Sequence, residues 1–558
     1  MNEVGDTNPR TASAKADDDM SRAQAGSLPT GDSIMGIVTE ADPVLELDGC
    51  AREPIHIIGH IQSRGLLFAL SEPDLIVQRV SANVEALLST SPQAVLGRSL
   101  EDLLGARQFI EFRTHIAVTG DLATANPLRM LVGSAELEMN CIAHRQDGVL
   151  IAEFELVRGA RSLEPPLNLA AHIQIPFSQM QQASDVFDLC RVASREIYKL
   201  TGFDRVMVYR FDAEWNGEVI AETARPSPVS YLGLRFPASD IPPQARRLFL
   251  ENRLRTIADA GSAPVPIVPE IDPSTGEALD LTRSFLRSAS PIHIQYLHNM
   301  NVVSSMTVSI IVQGRLWGMI ACHDAAPRPV DCSVRAVCEL IGGILASQVE
   351  WRIDKAALES RLASRKMLES YMAGMEASTV LFEAEPFESP WLLALLDADG
   401  LIARIDDVLS FRGVVLAEEA LLPIIARLRT FASRGIASSS TLSTLDASAE
   451  AYASRASGAL YMGLAEGSGD YLLLLRAELV ETVTWAGNPD KGASTDVHGA
   501  LRPRTSFAAW KETVRGHSRP WTELEQENAR FVREQMLRLQ TADMLRKSEQ
   551  RVQTFLRR

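Results

Sequence analysis

At 558 residues the chain is long enough for three or four domains, and a single small module is excluded. Hydrophobic residues at 46% and charged residues at 23% are ordinary for a folded protein and exclude a mainly disordered chain. The formal net charge of -16 repels polyphosphates and anionic bilayers, so neither nucleic acid nor membrane is an expected partner.

Residues 1–40 are rich in Ala, Ser, Asp, Thr and Gly and show no sustained period, which predicts a disordered N-terminal arm. From Ile55 onward short apolar runs are separated by turns. Gly65 to Leu70, the turn Ser71-Glu-Pro-Asp74 and Leu75 to Val77 predict a hairpin. Further strands at 128–132 and 149–156 complete a first α+β domain over 41–165, closed by Pro165-Pro166. A second α+β domain is expected over 166–332. It has a helix over 183–202, strands at 206–211 and 218–221, and a hairpin of 306–312 with 316–322 that turns through Gln313-Gly314-Arg315. The proline-rich stretch 224–304 reads as irregular and holds most of the His, Tyr and Arg able to line a pocket, as long irregular segments in compact domains often do.

Apolar residues at a three-to-four spacing without proline over 333–375 predict one long helix within a connecting region 333–385. It is longer than one domain needs, so it is expected to join two domains and to pack against a copy of itself in a parallel homodimer. A third α+β domain follows over 386–520. The helical tail 521–558 is still periodic at its last residue, which predicts a longer protein. The six cysteines form no CxxC pair and have no zinc-ligand spacing. With no signal-like N-terminus and no apolar run of the ~20 residues a membrane span needs, a cytoplasmic, reducing location is expected.

Three motifs carry more specific information: Phe236-Pro-Ala-Ser-Asp-Ile-Pro242, Arg287-Ser-Ala-Ser-Pro-Ile-His-Ile-Gln-Tyr-Leu297, and Trp317-Gly followed by Ala321-Cys-His323. In this order and spacing they resemble the chromophore-binding GAF domain of bacterial phytochromes. Upstream, Cys50-Ala-Arg-Glu-Pro-Ile-His56 and Gly59-His-Ile-Gln62 are similar to that family's PAS domain. Downstream, Trp485-Ala-Gly-Asn-Pro489, Pro503-Arg-Thr-Ser-Phe507 and Trp510-Lys-Glu512 are similar to the tongue of its PHY domain, here 480–520. The resemblance implies three α+β domains, PAS, GAF and PHY, with antiparallel sheets and a knotted PAS–GAF crossing. It also implies covalent biliverdin as cofactor, red/far-red light sensing, and a downstream output domain or response regulator as partner.

The resemblance also implies the site. Cys50 matches the biliverdin-binding Cys of bacterial members, whereas Ile292 stands where plant and cyanobacterial relatives have their Cys. The Asp240 carbonyl accepts from the pyrrole N–H groups, and its carboxylate takes part in the tongue switch. His293 lies against the central rings through a water, with Ile241 beside them. Arg255 and Arg287 match the propionate-binding arginines, where a planar guanidinium holds a carboxylate through two bonds; Ser290, Ser305 and Thr307 add hydroxyl donors. Tyr209, Phe236 and Tyr296 match the aromatic cage of the D ring, and His323 the donor to its carbonyl. Arg504, between Pro503 and Ser506, pairs with Asp240 in one light state, while Ser506 or the Trp510 and Glu512 region takes over after a strand-to-helix refolding.

Without the resemblance these residues read more plainly: Asp240 as a turn or helix N-cap, the arginines and hydroxyls as surface, the aromatics as core, and the tongue as a hairpin with an exposed ion pair. Departures from the family pattern are Phe249 where Tyr is usual, Ser63-Arg64 where Pro-His is common, and Ile58 for a frequent Pro. The alternative function is a PAS/GAF small-molecule sensor without photochemistry. No ATP-binding glycine box follows residue 520, so the chain is not expected to be an enzyme, and kinase activity would belong beyond Arg558.

Overall fold

The computed structural model describes residues 53–118, 122, 126–133, 135–157, 169–226, 229–377, 391–414, 416–464, 469–489, 494–495 and 501–556. Cys50 and the 1–40 arm lie outside them. Two compact units divide the described chain: residues up to Asp354 with Glu481–Val514, and Lys355–Val480 with Arg515 onward.

In the first unit the opening domain contributes β1 (His60–Ile61), β2 (Gly65–Ser71), β3 (Ile76–Ser81), β4 (Leu128–Val132), β5 (Leu137–Gln146) and β6 (Val149–Leu156). The next domain contributes β7 (Arg205–Phe211), β8 (Gly217–Ala224), β9 (Arg235–Phe236), β10 (Leu254–Ile257), β11 (Val265–Val268), β12 (Ser304–Val312) and β13 (Arg315–Asp324). One sheet runs β1-β11-β3-β2-β6-β5-β4. Central β2 is nearly all apolar because both of its faces are covered. Leu66, Phe68 and Leu70 enter the domain's own core, while Leu67 and Ala69 join Ile267, Leu281 and Leu286 from the second domain.

Strand β11 therefore belongs by sequence to the second domain and by pairing to the first. Residues 56–62 are held between two parts of that insertion. His60 pairs with Pro266, while Leu281 N–H donates to the His56 carbonyl at 2.8 Å, Gln62 N–H to that of Leu286 at 2.8 Å and Ser288 N–H to that of His60 at 3.0 Å. At the departure Ser63-Arg64, the Ser63 hydroxyl meets that of Ser262 at 3.0 Å.

The second domain's core lies between its sheet and the helices Val186–Thr201 and Cys332–Ala377. Asp185 caps the first of these by accepting from Asp188 N–H, and Gly202 ends it at φ 66°. The β12–β13 hairpin turns through Gln313-Gly314, both at positive φ. The stretch 224–304, expected to be irregular, instead holds helices Pro243–Glu251 and Pro291–Asn299 besides β9 to β11. Pro243 and Pro291 begin those helices, where a missing N–H costs nothing, so these prolines start structure rather than break it. Strands β19 (Glu481–Ala486) and β22 (Ala509–Val514) form an antiparallel hairpin, with the short pair β20 (Ser494–Thr495) and β21 (Leu501–Arg502) between them, that extends the second sheet to β10-β12-β13-β7-β8-β9-β19-β22.

The second unit is built on one five-stranded antiparallel sheet, with apolar clusters that include Leu472 and Leu474 on one face and Leu473 and Leu475 on the other. Its strands are β14 (Gly400–Ile405), β15 (Val408–Gly413), β16 (Ile436–Ser439), β17 (Gly458–Gly463) and β18 (Tyr471–Arg476). The terminal helix Glu523–Leu556 starts at a capping box in which Thr522 Oγ1 accepts from Glu525 N–H and Glu525 accepts from Thr522 N–H. The 46-residue helix Cys332–Ala377 runs from the first unit into the second. Over Cys332–Ser370 it is long and apolar enough to cross a membrane by length and composition. Much of that apolarity is core, since Val337, Ile341, Leu345 and Val349 are buried in the second domain.

Candidate functional site

A cavity of 240 Å³ opens in the second domain, and the sheet register explains its floor. On β12 the alternate residues Ser305 and Thr307 share one face. Ser305 pairs with His323 on one side and Ile257 on the other, while Thr307 pairs with Ala321 and Arg255. Met207 lies opposite Ala321 on β7, and all of these residues line the cavity. Tyr209 completes this wall. A Cβ on neighbouring Gly217 would come within 1.6 Å of its ring, so only glycine leaves the ring its place.

Two helices close the cavity. Pro291–Asn299 presents His293, Tyr296 and Leu297 on one face, at the spacing that brings residues three and four apart together. Ser290 caps it by accepting from Ile292 N–H and donates its own proton to Glu53 at 2.7 Å. Pro243–Glu251 presents Gln244, Ala245, Leu248 and Phe249. The 3₁₀ turn Ala238–Asp240 sets Asp240 and then Ile241 into the wall, and Pro503 and Arg504 reach the same cavity from the β19–β22 hairpin.

The electrostatics follow from enclosure. Arg287 is buried and donates to the Ile55 carbonyl at 2.9 Å, while its Nε has no partner among the described residues. Arg255 donates to the carbonyls of Phe285, at 3.1 Å, and Arg287. Among the described residues neither guanidinium has a carboxylate within ion-pair distance. Burial lowers the pKa of both, with the Arg287 charge acting further on Arg255. Burial, then Arg255, holds His293 down to about 4, and His323, whose Nδ1 has no partner among the described residues, is depressed to about 3 by burial, Arg205 and His293. Both imidazoles are neutral at pH 7.

Asp240 ends the 3₁₀ turn, as a plain turn reading has it, but its side chain caps no helix. Its Oδ2 accepts from the Tyr296 hydroxyl at 2.9 Å and from Arg504 Nη2. Burial pushes its pKa up to about 6 against the opposing pull of Arg504 and Tyr296. Arg504 also donates to the Ala486 carbonyl, and its guanidinium stands 5.3 Å from the Phe236 ring centroid and 4.7 Å from that of Phe507. Gly487, at φ 93°, brings the backbone so near that a Cβ would lie 2.2 Å from the Ser506 carbonyl oxygen.

The cavity thus gathers Tyr209, Phe236, Asp240, Ile241, Phe249, Arg255, Arg287, Ser290, His293, Tyr296, Ser305, Thr307, His323, Pro503 and Arg504. Ser506 is exposed and outside it. Trp510, paired with Trp485 on the hairpin, and Glu512, which accepts from Trp485 Nε1 at 2.7 Å, also stand outside it. The cysteines Cys141, Cys190, Cys322, Cys332 and Cys338 do not line the cavity, and the first four named apart from Cys332, with Cys338, are buried. Sequence reasoning missed Glu53, Met207, Met300 and Met319. Glu53 is signalled only by its place in the Cys50 motif, and the methionines by nothing short of the sheet register and helix spacing.

Three families match along the chain: the PAS fold over residues 50–157, the GAF domain over 185–353 and the phytochrome region over 361–544. The bacteriophytochrome of Xanthomonas campestris pv. campestris is 33% identical over 88% of this chain and 78% of its own length. The chain belongs to the phytochrome family, a family of light photoreceptors. Cyanobacterial phytochrome B of Nostoc sp. is 35% identical, over 90% of this chain and 67% of its own length. Among solved structures, a bacteriophytochrome from the photosynthetic bacterium R. palustris matches at a TM-score of 0.78 and 36% identity, over 89% of this phytochrome and 99% of that chain. The Stigmatella aurantiaca phytochrome photosensory core module matches at 0.77 and 34%.

Proposed function

We propose that this phytochrome is a red/far-red photoreceptor that holds biliverdin through a thioether to Cys50 and signals by refolding its tongue toward an output domain. The observation that carries the reading is the pair of enclosed guanidinium groups, Arg255 and Arg287, at the cavity, neither with a carboxylate at ion-pair distance among the described residues. Enclosed charge of this kind needs a counter-ion. A ligand with two carboxylates on an apolar conjugated body meets that need, and the His323 Nδ1, without a partner among the described residues, suits a polar group at the other end of such a ligand.

Arg255 and Arg287, with Ser290 and Thr307, would hold the carboxylates; Asp240 and His293 would serve the ring nitrogens, and Tyr209, Phe236 and Tyr296 would pack the terminal ring. Phe249 brings no hydroxyl, so anchoring on its side falls to the arginines. When bound, a bilin would supply a conjugated, red-absorbing cation with a bond that light can isomerise. The chain's part is to exclude water, keep both histidines neutral, and keep Asp240 paired with Arg504 in one state and release it in the other. Incubated with biliverdin, the protein is expected to turn coloured, keep the pigment on a denaturing gel and change spectrum reversibly under red and far-red light. Pigment uptake without a light-driven change would favour a small-molecule sensor.

The same proposal includes a parallel homodimer. Leu340, Trp351, Leu358 and Leu362 are exposed along one stripe of the connecting helix, and Leu545, Val552 and Leu556 along the terminal one. The expected solution mass at tens of micromolar is that of two chains, about 122 kDa from 61.1 kDa each; a strictly monomeric mass by light scattering counts against it.

A further inference from the structure

Glu153 lies on β6 of the first domain, 1% exposed, facing the second domain's insertion. Its Oε2 accepts from the Phe285 N–H at 2.9 Å and its Oε1 from the Leu286 N–H at 2.7 Å. One side chain therefore fixes two consecutive peptide groups of another domain. The carbonyls of the same segment are held as well: Arg255 donates to those of Phe285 and Arg287, and Gln62 N–H to that of Leu286. Residues 285–287 are thus held between a carboxylate and a guanidinium. Arg287 follows directly and turns its own guanidinium toward the cavity.

Among the described residues, no other side chain accepts from the Phe285 and Leu286 N–H groups. His144, on β5, has Nδ1 at 3.9 Å from Oε2 and is neutral at pH 7 because burial depresses its pKa to about 4. Burial pushes Glu153 up to about 7 against the pull of the two N–H groups and Arg255, so the carboxylate is charged in mildly alkaline solution. A buried anion kept by two backbone donors, beside an arginine that has no carboxylate at ion-pair distance among the described residues, is costly unless the placement serves that arginine.

We propose that Glu153 is a positioning residue for the carboxylate-binding side of the cavity: by fixing the 285–287 backbone it aims Arg255 and Arg287 at the ligand's propionates. This rests on the bilin reading above. Glu153→Gln keeps the size of the side chain but has a single acceptor oxygen, so one of the two N–H groups loses its partner and faces an NH2 group.

Initial rates of pigment uptake are compared for biliverdin and its dimethyl ester, which lacks the charges but keeps the ring system, at about pH 8.5, where the carboxylate is ionised. The chain with Glu153 is expected to prefer the diacid. Glu153→Gln should cut that preference roughly tenfold, as expected for losing one hydrogen bond to a charged group, while uptake of the ester changes less than about twofold. A variant that is merely loosened slows both pigments alike, and an unchanged preference overturns the proposal. Glu153→Asp, with the charge drawn back by one methylene, should lose preference in the same direction and carries the test if Glu153→Gln does not fold. If the chain with Glu153 takes up neither pigment, the bilin reading itself fails; if it takes up both but both variants keep the preference, only the role of Glu153 fails.

Discussion

Cys50→Ser is expected to leave biliverdin in the cavity of the native protein and to lose all of it when the protein is denatured. The attachment needs a thiol that can reach the ligand, and the other five cysteines offer none. Cys141, Cys190, Cys322 and Cys338 are buried in cores, and burial raises each thiol's pKa, to about 12 for Cys190 and Cys338. Cys332, half-buried at the start of the connecting helix, accepts from Asn140 and does not line the cavity. Glu53 does line it, three residues after Cys50, and three residues of extended chain span at most ~11 Å. Arg255, Arg287 and the aromatic wall are untouched by the substitution, so noncovalent uptake should persist. Zinc-enhanced pigment fluorescence on a denaturing gel reads the link directly: signal on the wild type and none on the variant is the expected result, and a retained band would assign the thioether to another cysteine.

Much of the fold was legible because its signals are local. The β12–β13 hairpin announces itself through alternating apolar residues around Gln313-Gly314, and the connecting helix through an unbroken three-to-four spacing. The helices at Pro243 and Pro291 were not legible in this way, because proline reads as a breaker unless its place at the first helical position is known. The strand pairing of β11 with β1 and β3 joins residues about 200 apart, and no periodicity carries information about a partner so distant. The candidate site divides similarly. Asp240, His293 and His323 stand in motifs that resemblance can carry over residue by residue. Glu153 sits in an ordinary strand, Val149–Leu156, where a single carboxylate reads as solvent-facing, and only the backbone of Phe285 and Leu286 opposite explains it.

Arg504→Ala is expected to shift the photostationary mixture and the dark reversion toward the state in which the tongue does not contact Asp240. In the present arrangement the Arg504 side chain is 5% exposed and that of Asp240 9%, so the pair is screened little by solvent. Removing the arginine strands a buried carboxylate whose remaining partner is the Tyr296 hydroxyl. Breaking such a pair costs about 3–5 kcal/mol where water stays out, and less where it enters. A state that lacks the pair bears almost none of this, so the balance between states should move by roughly two to nearly four orders of magnitude across that range. The pH dependence has a definite sign. The pKa of Asp240 is already raised to about 6 from 3.8, and Arg504 is one of the groups holding it down, so the substitution raises it further. A group whose folded pKa is raised favours the folded arrangement most fully below its unfolded value and loses that contribution as pH climbs through the folded one. The variant's penalty should therefore be largest above about pH 7 and shrink toward about pH 5, where Asp240 is protonated with or without its partner. Reversion kinetics followed at both pH values, with biliverdin still attached at Cys50, read this directly. Equal kinetics for variant and wild type at both would show that the Arg504–Asp240 pair does not set the balance, and that the tongue is held by the β19–β22 hairpin and its Trp485–Glu512 bond instead.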